Sequence, residues 1–376
     1  MIDLMDLRKE IDRIDKEILD LFERRMEVSK GVAKYKIENN KPVFDKDREI
    51  EKIKVLKGMA KDSFAAHGVE ELFQQIMAMS RKLQYKLLTE KGYEEKTKFQ
   101  MVDKIFSPNA RVVYQGIEGA YSHAAAKEYF KGSPKLFHVK KWKDAMEMVA
   151  CKAADFAVLP IENSTAGSVY DNYDLLEAYD HYIVGEQLIK CKHVLVACPG
   201  SQISDIQTVY SHEQALRQCA PYLSEHEQWK KIQVNNTAVA AKMVADLKEK
   251  SVAAISSVHA AKLYGLTILE EKPYFSDYNS TRFIIVSGER IFTADAGKIT
   301  VCFELPHQSG SLYNILSHFI YNDLNMTKIE SRPVFEKSWE YRFFIDFEGN
   351  LKDSAVKNAL RGIESEAKGF RVFGNY

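Results

Sequence analysis

The run Tyr278-Asn279-Ser280-Thr281-Arg282-Phe283 leads straight into Ile284-Ile285-Val286. Polar residues that pass without a break into β-branched apolar ones read as the mouth of a buried strand. That mouth carries a hydroxyl, an amide and a guanidinium. A small polyanion that must be held while it loses an oxygen atom needs such groups, because Arg offers a planar fork to a carboxylate and Thr a short, positioned O–H. Taken alone, Thr281-Arg282-Phe283 is a loop-to-strand junction with Arg at its rim. It acquires a function only if other segments converge on it.

Outward from this strand, residues 110–290 alternate short apolar runs with helical stretches. Runs at 112–114, 156–159, 194–197, 209–210, 252–255 and 283–286 are the expected strands of an α/β fold. Three strand-to-helix junctions carry polar groups. They are Gly116-Ile117-Glu118-Gly119-Ala120-Tyr121-Ser122-His123, Pro160-Ile161-Glu162-Asn163-Ser164-Thr165-Ala166-Gly167, and Tyr210-Ser211-His212, which opens a helix holding Gln218. The Tyr-Ser-His triplet occurs twice, as if two lobes each aimed a helix N-terminus at one cleft, where free N–H groups bind carboxylates. Ser122 and Ser211 read equally well as helix N-caps. His123 and His212 read as local hydrogen bonders, and no Cys/His/Asp spacing indicates a metal.

The chain has 376 residues, 45% of them apolar and 28% charged, a soluble globular composition long enough for two or three domains. Lys+Arg and Asp+Glu balance at 53 each, so no global field recruits nucleic acid or an anionic membrane and any anion site is local. The five cysteines form no Cys-x-x-Cys pair, which fits buried free thiols in a reducing compartment. The first residues are acidic and pass at once into a charged amphipathic helix, and no run reaches membrane-spanning length, so a cytoplasmic location is expected.

Before the α/β region the chain is helical. Leu4, Leu7, Ile11, Ile14, Ile18, Leu21, Val28 and Val32 recur alternately every three and four residues, a heptad seam that Arg25 interrupts. A cation in an apolar seam either sets register or meets an anionic ligand. Lys36 lies only about 20° around the helix from Arg25 at ~100° per residue, whereas Arg8 lies roughly 100° off that face and suits a neighbour's pocket better than its own. Pro42 ends this helix. A second starts at Asp45, with Asp45, Arg48 and Glu49 on one face, and a third carries Leu72, Ile76, Met79 and Leu83, with Ser80 and Gln84 stacked one turn apart. A dimerising coil with solvated charges would account for Lys36 or Arg48 alone, but not for Arg25. Residues 93–109 are polar and aperiodic and read as a linker.

After residue 297 the order is strand (299–305), helix (312–320), strand (327–331), strand (341–347), helix (354–364), strand (371–373), the βαββαβ order of a ferredoxin-like unit.

Three resemblances follow from these residues. Leu7-Arg8, Glu23-Arg24-Arg25, Lys36, Pro42-Val43, Asp45-x-x-Arg48-Glu49 and Ser80-x-x-x-Gln84 resemble the all-helical three-helix chorismate mutase domain, over residues 1–92. Gly119-Ala120-Tyr121-Ser122, Pro160-Ile161-Glu162-Asn163-Ser164, Tyr210-Ser211-His212 with Gln218 and Cys219, and Asn279-Ser280-Thr281-Arg282-Phe283 resemble prephenate dehydratase, over 110–290. Ser309-Gly310-Ser311-Leu312 and residues 325–333 resemble the ACT regulatory domain, over 297–376, although the family's first motif is Pro-Gly-Ala-Leu. Together they resemble a bifunctional chorismate mutase-prephenate dehydratase.

The resemblance implies a fold and two chemistries. Two interlocked chains would form each mutase pocket, with Arg25 and a partner's Arg8 on the carboxylates of chorismate, and Lys36 and Gln84 at the ether oxygen. Asp45, Arg48, Glu49 and Ser80 would complete the shell, and no cofactor is needed. The dehydratase would be two α/β lobes, similar to a periplasmic binding protein, crossed more than once by the chain. Thr281 would assist the hydroxyl that leaves prephenate, or Glu162 would supply the proton if burial raises its pKa. Ser122, Asn163, Ser164, Ser211, Gln218 and Arg282 would hold the substrate, with Arg282 alternatively bracing the loop. Gly310, Ser311, Leu312, Glu330 and Ser331 would bind phenylalanine between chains of a homodimer or larger homo-oligomer. The final segment adjoins the dehydratase in sequence while the helices hang from a linker, so the effector is expected to act more on the dehydratase. Two competing readings are a non-catalytic two-lobed sensor with a dimerising coil, and a dehydratase whose helices only dimerise.

Overall fold

Asp3 accepts the Met5 N–H at 2.9 Å and so caps α1 (Leu4–Glu38), a single helix of 35 residues that stops before Pro42. Asp45 caps α2 (Lys46–Gly58) and Asp62 caps α3 (Ser63–Glu90) in the same way, accepting from the N–H groups of Arg48 and Ala65. This computed structural model describes residues 3–91, 98–274, 278–305, 307–334 and 340–376. The chain divides into two units, Met1–Lys98 with Asp295–Val372, and Phe99–Ala294 with Phe373–Tyr376.

In the first unit α3 is the shared element. Its residues Met77, Ala78, Ser80, Arg81, Lys82, Gln84 and Tyr85 are all buried, a span too continuous for a one-sided amphipathic helix. The reason is that α1 and α2 cover one side while the helices Ser354–Glu366 and Ser311–Tyr321 cover the other. The C-terminal segment thus packs on the helical one, and the expectation that the helices hang alone from a linker is corrected. Those two C-terminal helices belong to a four-stranded sheet with spatial order Met326–Pro333, Tyr341–Glu348, Lys298–Glu304, Lys368–Asn375. The seam of α1 has no such cover among the described residues: Leu4, Leu7, Ile11, Ile14, Ile18 and Leu21 are 42–65% exposed.

The second unit holds two mixed sheets. In the first the order is Lys135–Val139, Arg111–Gln115, Phe156–Asn163, Ser280–Ser287, Tyr182–Lys190, with Gly167–Ser168 pairing Phe156–Asn163 off that path. In the second it is Thr267–Glu270, His193–Ala197, Val252–Ser257, Thr208–Ser211, Lys230–Gln233. The chain passes from the first sheet to the second after Lys190 and returns at Ser280, which puts both crossings beside the polar mouth at Thr281. Tyr114, Phe130, Phe156 and Ile285 fill the core of the first lobe, and Val196, Val244 and Ala254 lie in that of the second.

Several local expectations change. Residues 160–163 continue the strand Phe156–Asn163 instead of forming a junction. Lys135–Val139, Tyr182–Lys190, Lys230–Gln233 and Thr267–Glu270 are further strands, of which the first and third are largely exposed and so lack an apolar run. Part of the linker is ordered, because Gln100–Met101 pairs in parallel with Ile291–Phe292. Of the cysteines, Cys151 is exposed and the other four are buried, all as free thiols.

Candidate active sites

The helical segment encloses a cavity of about 360 Å³ lined by Arg25, Lys36, Asp45, Arg48, Glu49, Ser80 and Gln84, with Arg81 and apolar Val28, Val32, Val43 and Met77 among its other walls. Arg25 donates through NH1 to the Ser80 hydroxyl and, at 3.4 Å, to the Ile76 carbonyl. Lys36 donates to the Val43 carbonyl at 2.6 Å, which fixes the ammonium against the loop before α2. Burial lowers the pKa of both cations, opposed for Arg25 by Glu49 and for Lys36 by Asp45 and Glu49. Gln84 donates to Ser29 at 3.3 Å, and its other amide atom is buried with no hydrogen-bond partner among the described residues. Arg8 is exposed and does not line this cavity. It sits roughly 25 Å from Arg25 along α1, seventeen residues at about 1.5 Å each.

The second unit gathers a polar network where the two lobes meet. Asn163 and Thr281 are register partners on antiparallel strands, and Asn163 Nδ2 donates to Thr281 Oγ1 at 2.9 Å. The same amide donates to Asn279 Oδ1, and Asn279 in turn donates to Gln218 Oε1, both at 2.9 Å. Gln218 Oε1 also accepts from His193 Nε2 at 2.8 Å, while Gln218 Nε2 donates to Thr165 Oγ1 at 2.6 Å. Asn163 Oδ1 accepts from the Thr165 hydroxyl and from Gln214 Nε2. Because Gln218 Oε1 can only accept, His193 carries its proton on Nε2, and burial lowers its pKa and keeps the ring neutral. The Tyr121 hydroxyl lies 3.1 Å from His193 Nδ1.

The consequence for Thr281 is directional. One lone pair takes the Asn163 amide, so its O–H points away from Asn163 and is left to donate elsewhere, with Cys191 Sγ within reach at 3.2 Å. Burial raises the Cys191 pKa, so this sulfur is a neutral thiol.

Other expected residues stand elsewhere. Side chains alternate along a strand, and Glu162 and Arg282 are each one residue from this pair, so they occupy the opposite face. There Arg282 lies between Glu162 at 3.4 Å and Glu186 at 3.3 Å. Glu162 is thus ion-paired on the face opposite Thr281, and Arg282 links two strands there, as its alternative bracing role expects. Neither serine is an N-cap. Ser122 lies inside the helix Tyr121–Tyr129 and donates to the Gln115 carbonyl, and fully buried Ser211 donates to the Ile255 carbonyl, while His212 caps the next helix. Ser164 bonds the Tyr278 carbonyl and the Ser280 N–H, and so ties its loop to the start of the strand.

Sequence reasoning missed His193, Cys191 and Gln214 in this network. Gln214 had one usable signal, its position one helical turn before Gln218. His193 and Cys191 precede an apolar strand and carry no local pattern. In the C-terminal segment Gly310, with φ +79°, caps the helix Ser311–Tyr321, which begins with Ser311 and Leu312. Glu330 and Ser331 lie on the edge strand Met326–Pro333. Residues 335–339, which follow that strand, lie outside the described residues.

Family models match in two places: prephenate dehydratase over residues 112–291, and chorismate mutase type II over residues 7–85. The bifunctional chorismate mutase/prephenate dehydratase of Escherichia coli (strain K12) is 33% identical over 379 residues, covering 99% of this chain and 96% of that protein. The arogenate dehydratase/prephenate dehydratase 2, chloroplastic, of Arabidopsis thaliana is 38% identical over 277 residues, covering 71% of this chain and 72% of its own. Among solved structures, the prephenate dehydratase from Arthrobacter aurescens in complex with L-Phe is similar with a TM-score of 0.64 and 30% identity, over 71% of this chain and 89% of that one.

Proposed function

This chain belongs to the bifunctional chorismate mutase/prephenate dehydratase family, and from that premise we propose how its residues divide the work. It is an enzyme of phenylalanine biosynthesis that rearranges chorismate to prephenate and then converts prephenate to phenylpyruvate. The observation that carries the assignment of sites is that Arg25, Lys36 and Gln84 share one cavity in the helical segment, while Asn163 orients Thr281 where the two α/β lobes meet.

The first reaction is pericyclic, with no covalent intermediate, so the pocket acts by restraint and by cations placed where charge develops. Arg25 holds one carboxylate, and the ammonium of Lys36 and the amide of Gln84 face the ether oxygen as its bond breaks. Arg8 is too far away to serve its own cavity. The exposed seam supports a second copy of the chain, each fully buried Leu or Ile contributing about 1.5–3 kcal/mol, which would bring the partner subunit's Arg8 to the pocket.

In the second reaction the bond to the ring carboxylate breaks, its electron pair enters the ring, and the hydroxyl on the opposite carbon departs. Aromaticity supplies the drive, so the protein orients the carboxylates and helps hydroxide leave. Thr281 does this as a positioned hydrogen bond, since its proton is directed away from Asn163. Gln218, His193 and Asn279 hold that orientation from behind.

The C-terminal segment has the strand and helix order of an ACT domain, and the similar dehydratase crystallised with L-Phe supports reading it as a phenylalanine sensor. The start of the helix at Gly310-Ser311 would offer N–H groups to the effector's carboxylate. Among the described residues no helix is long and apolar enough to cross a membrane, and the cytoplasm is the compartment that suits the reaction.

Supplying chorismate to the purified protein and following prephenate and phenylpyruvate tests this division. Both products should appear in order. Phenylpyruvate from added prephenate but not from chorismate would reduce the helices to a dimeriser, and neither product would favour the sensor.

A further inference from the structure

Arg81 follows Ser80 on α3 and is buried, 6% exposed, with every donating arm engaged. NH1 donates to Glu49 Oε2 at 2.5 Å, on the wall of the helical cavity. Nε and NH2 donate to the two oxygens of Glu366, at 2.8 and 3.3 Å, at the end of the C-terminal helix Ser354–Glu366. The guanidinium stacks over Phe44, 4.9 Å from the ring centroid, so its plane is fixed as well. Glu366 is held in turn by His318 Nε2 at 3.2 Å, on the neighbouring C-terminal helix. Next to Arg81, Lys82 donates to Ser317 at 2.8 Å, and Tyr85, one turn on, bonds the Ser365 hydroxyl.

We propose that Arg81 is a positioning residue of the mutase site, which fixes the carboxylate of Glu49 in the cavity wall and is itself aimed by Glu366 of the C-terminal segment. The inference rests on reading the helical cavity as that site. Its physical basis is the problem of placing a carboxylate in a pocket for a dianion. A free Glu49 would repel the substrate's carboxylates, whereas one whose Oε2 is bound by a guanidinium is neutralised and presents only Oε1 to the cavity, an acceptor suited to a substrate hydroxyl. Glu49 alone cannot hold Arg81 in place. The bidentate grip of Glu366, which excludes rotation of the guanidinium plane, makes the arrangement rigid. The mutase pocket is therefore completed by a segment that follows it by more than 200 residues.

The test is steady-state mutase kinetics on the full chain with four variants. Arg81→Lys keeps the charge but loses the fork, and Glu366→Gln keeps the shape but loses the charge. Each should lower mutase kcat/KM about tenfold, within the range of coupling between packed sites, with most of the change in KM if Glu49 binds the substrate hydroxyl in both ground and transition states. In the background of Glu49→Gln, Arg81→Lys should add little, because a residue that acts through Glu49 has nothing left to position. Thermal unfolding of each variant separates a folding defect from this non-additivity, which a merely structural residue would not show. Wild-type kinetics in Arg81→Lys, or losses that add fully to those of Glu49→Gln, would overturn the proposal while leaving the cavity as the mutase site. A wild-type chain without mutase activity would instead sink the reading of the cavity, and the proposal with it.

Discussion

Asn163 and Thr281 meet across two antiparallel strands, amide to hydroxyl at 2.9 Å, while their neighbours Glu162 and Arg282 pair on the other face of the same sheet. This one-residue alternation puts the Thr281 hydroxyl and the Arg282 guanidinium on opposite faces of the sheet.

Thr281→Val keeps the side-chain volume and removes the donor. Dehydratase kcat should fall by about 10²- to 10³-fold, the scale of losing one preorganised donor, with KM for prephenate nearly unchanged. Glu162→Gln should stay within a few-fold of wild type. Single-turnover measurements on both variants check the pair, and the reverse ranking would return the proton to Glu162.

Lys36→Met should lower mutase turnover by about 10²-fold and leave the dehydratase intact, as expected for a cation that acts on charge developing in the transition state. Equal mutase rates in folded Lys36→Met and wild type would make Lys36 a surface residue.

The pH profile of the mutase carries a sign. Burial lowers the pKa of Lys36 from the ordinary lysine value of 10.5, with Asp45 and Glu49 opposing. The active form is the cation, so kcat/KM should be lost as pH rises through that lowered pKa, giving an alkaline limb below 10.5. A profile flat to the ordinary lysine value would contradict the placement of this ammonium.

Arg8→Ala and Lys36→Ala chains, each inactive as mutase alone, should regain part of the activity when mixed, because a heterodimer rebuilds one intact pocket. Recovery is read after subunit exchange has been confirmed with labelled chains. Exchange without recovery would remove Arg8 from the pocket.

Titration calorimetry with phenylalanine, with and without a non-reacting prephenate analogue, addresses regulation. A coupling of ~1 to 3 kcal/mol would weaken each ligand's binding by roughly 5- to 150-fold in the presence of the other, and by the same factor in both directions. Identical phenylalanine binding in the two titrations would leave the C-terminal segment with a role in assembly alone.

Much of the fold was legible because its signals are local. The heptad seam of α1 and the caps Asp45 and Pro42 are short-range patterns, as is the alternation of strand and helix after Lys298, and each survives whatever packs against it. The cavity residues of the helical segment were legible for the same reason, since helical geometry alone puts Arg25 and Lys36 on one face. What only the tertiary structure decided are facts about register and docking. Whether Glu162 or Asn163 faces Thr281 depends on the strand continuing through Pro160 and on where the register shifts, which is between Arg282 and Phe283, just beyond the pairs Thr281–Asn163 and Arg282–Glu162, because a shift of one residue reverses every face. That His193, Gln218 and Asn279 form one chain of hydrogen bonds depends on two lobes meeting. That Arg81 is shared between Glu49 and Glu366 depends on a helix nearly three hundred residues away in sequence docking on α3, an ion pair that carries no local signature because its partners are brought together only by the packing of the whole unit.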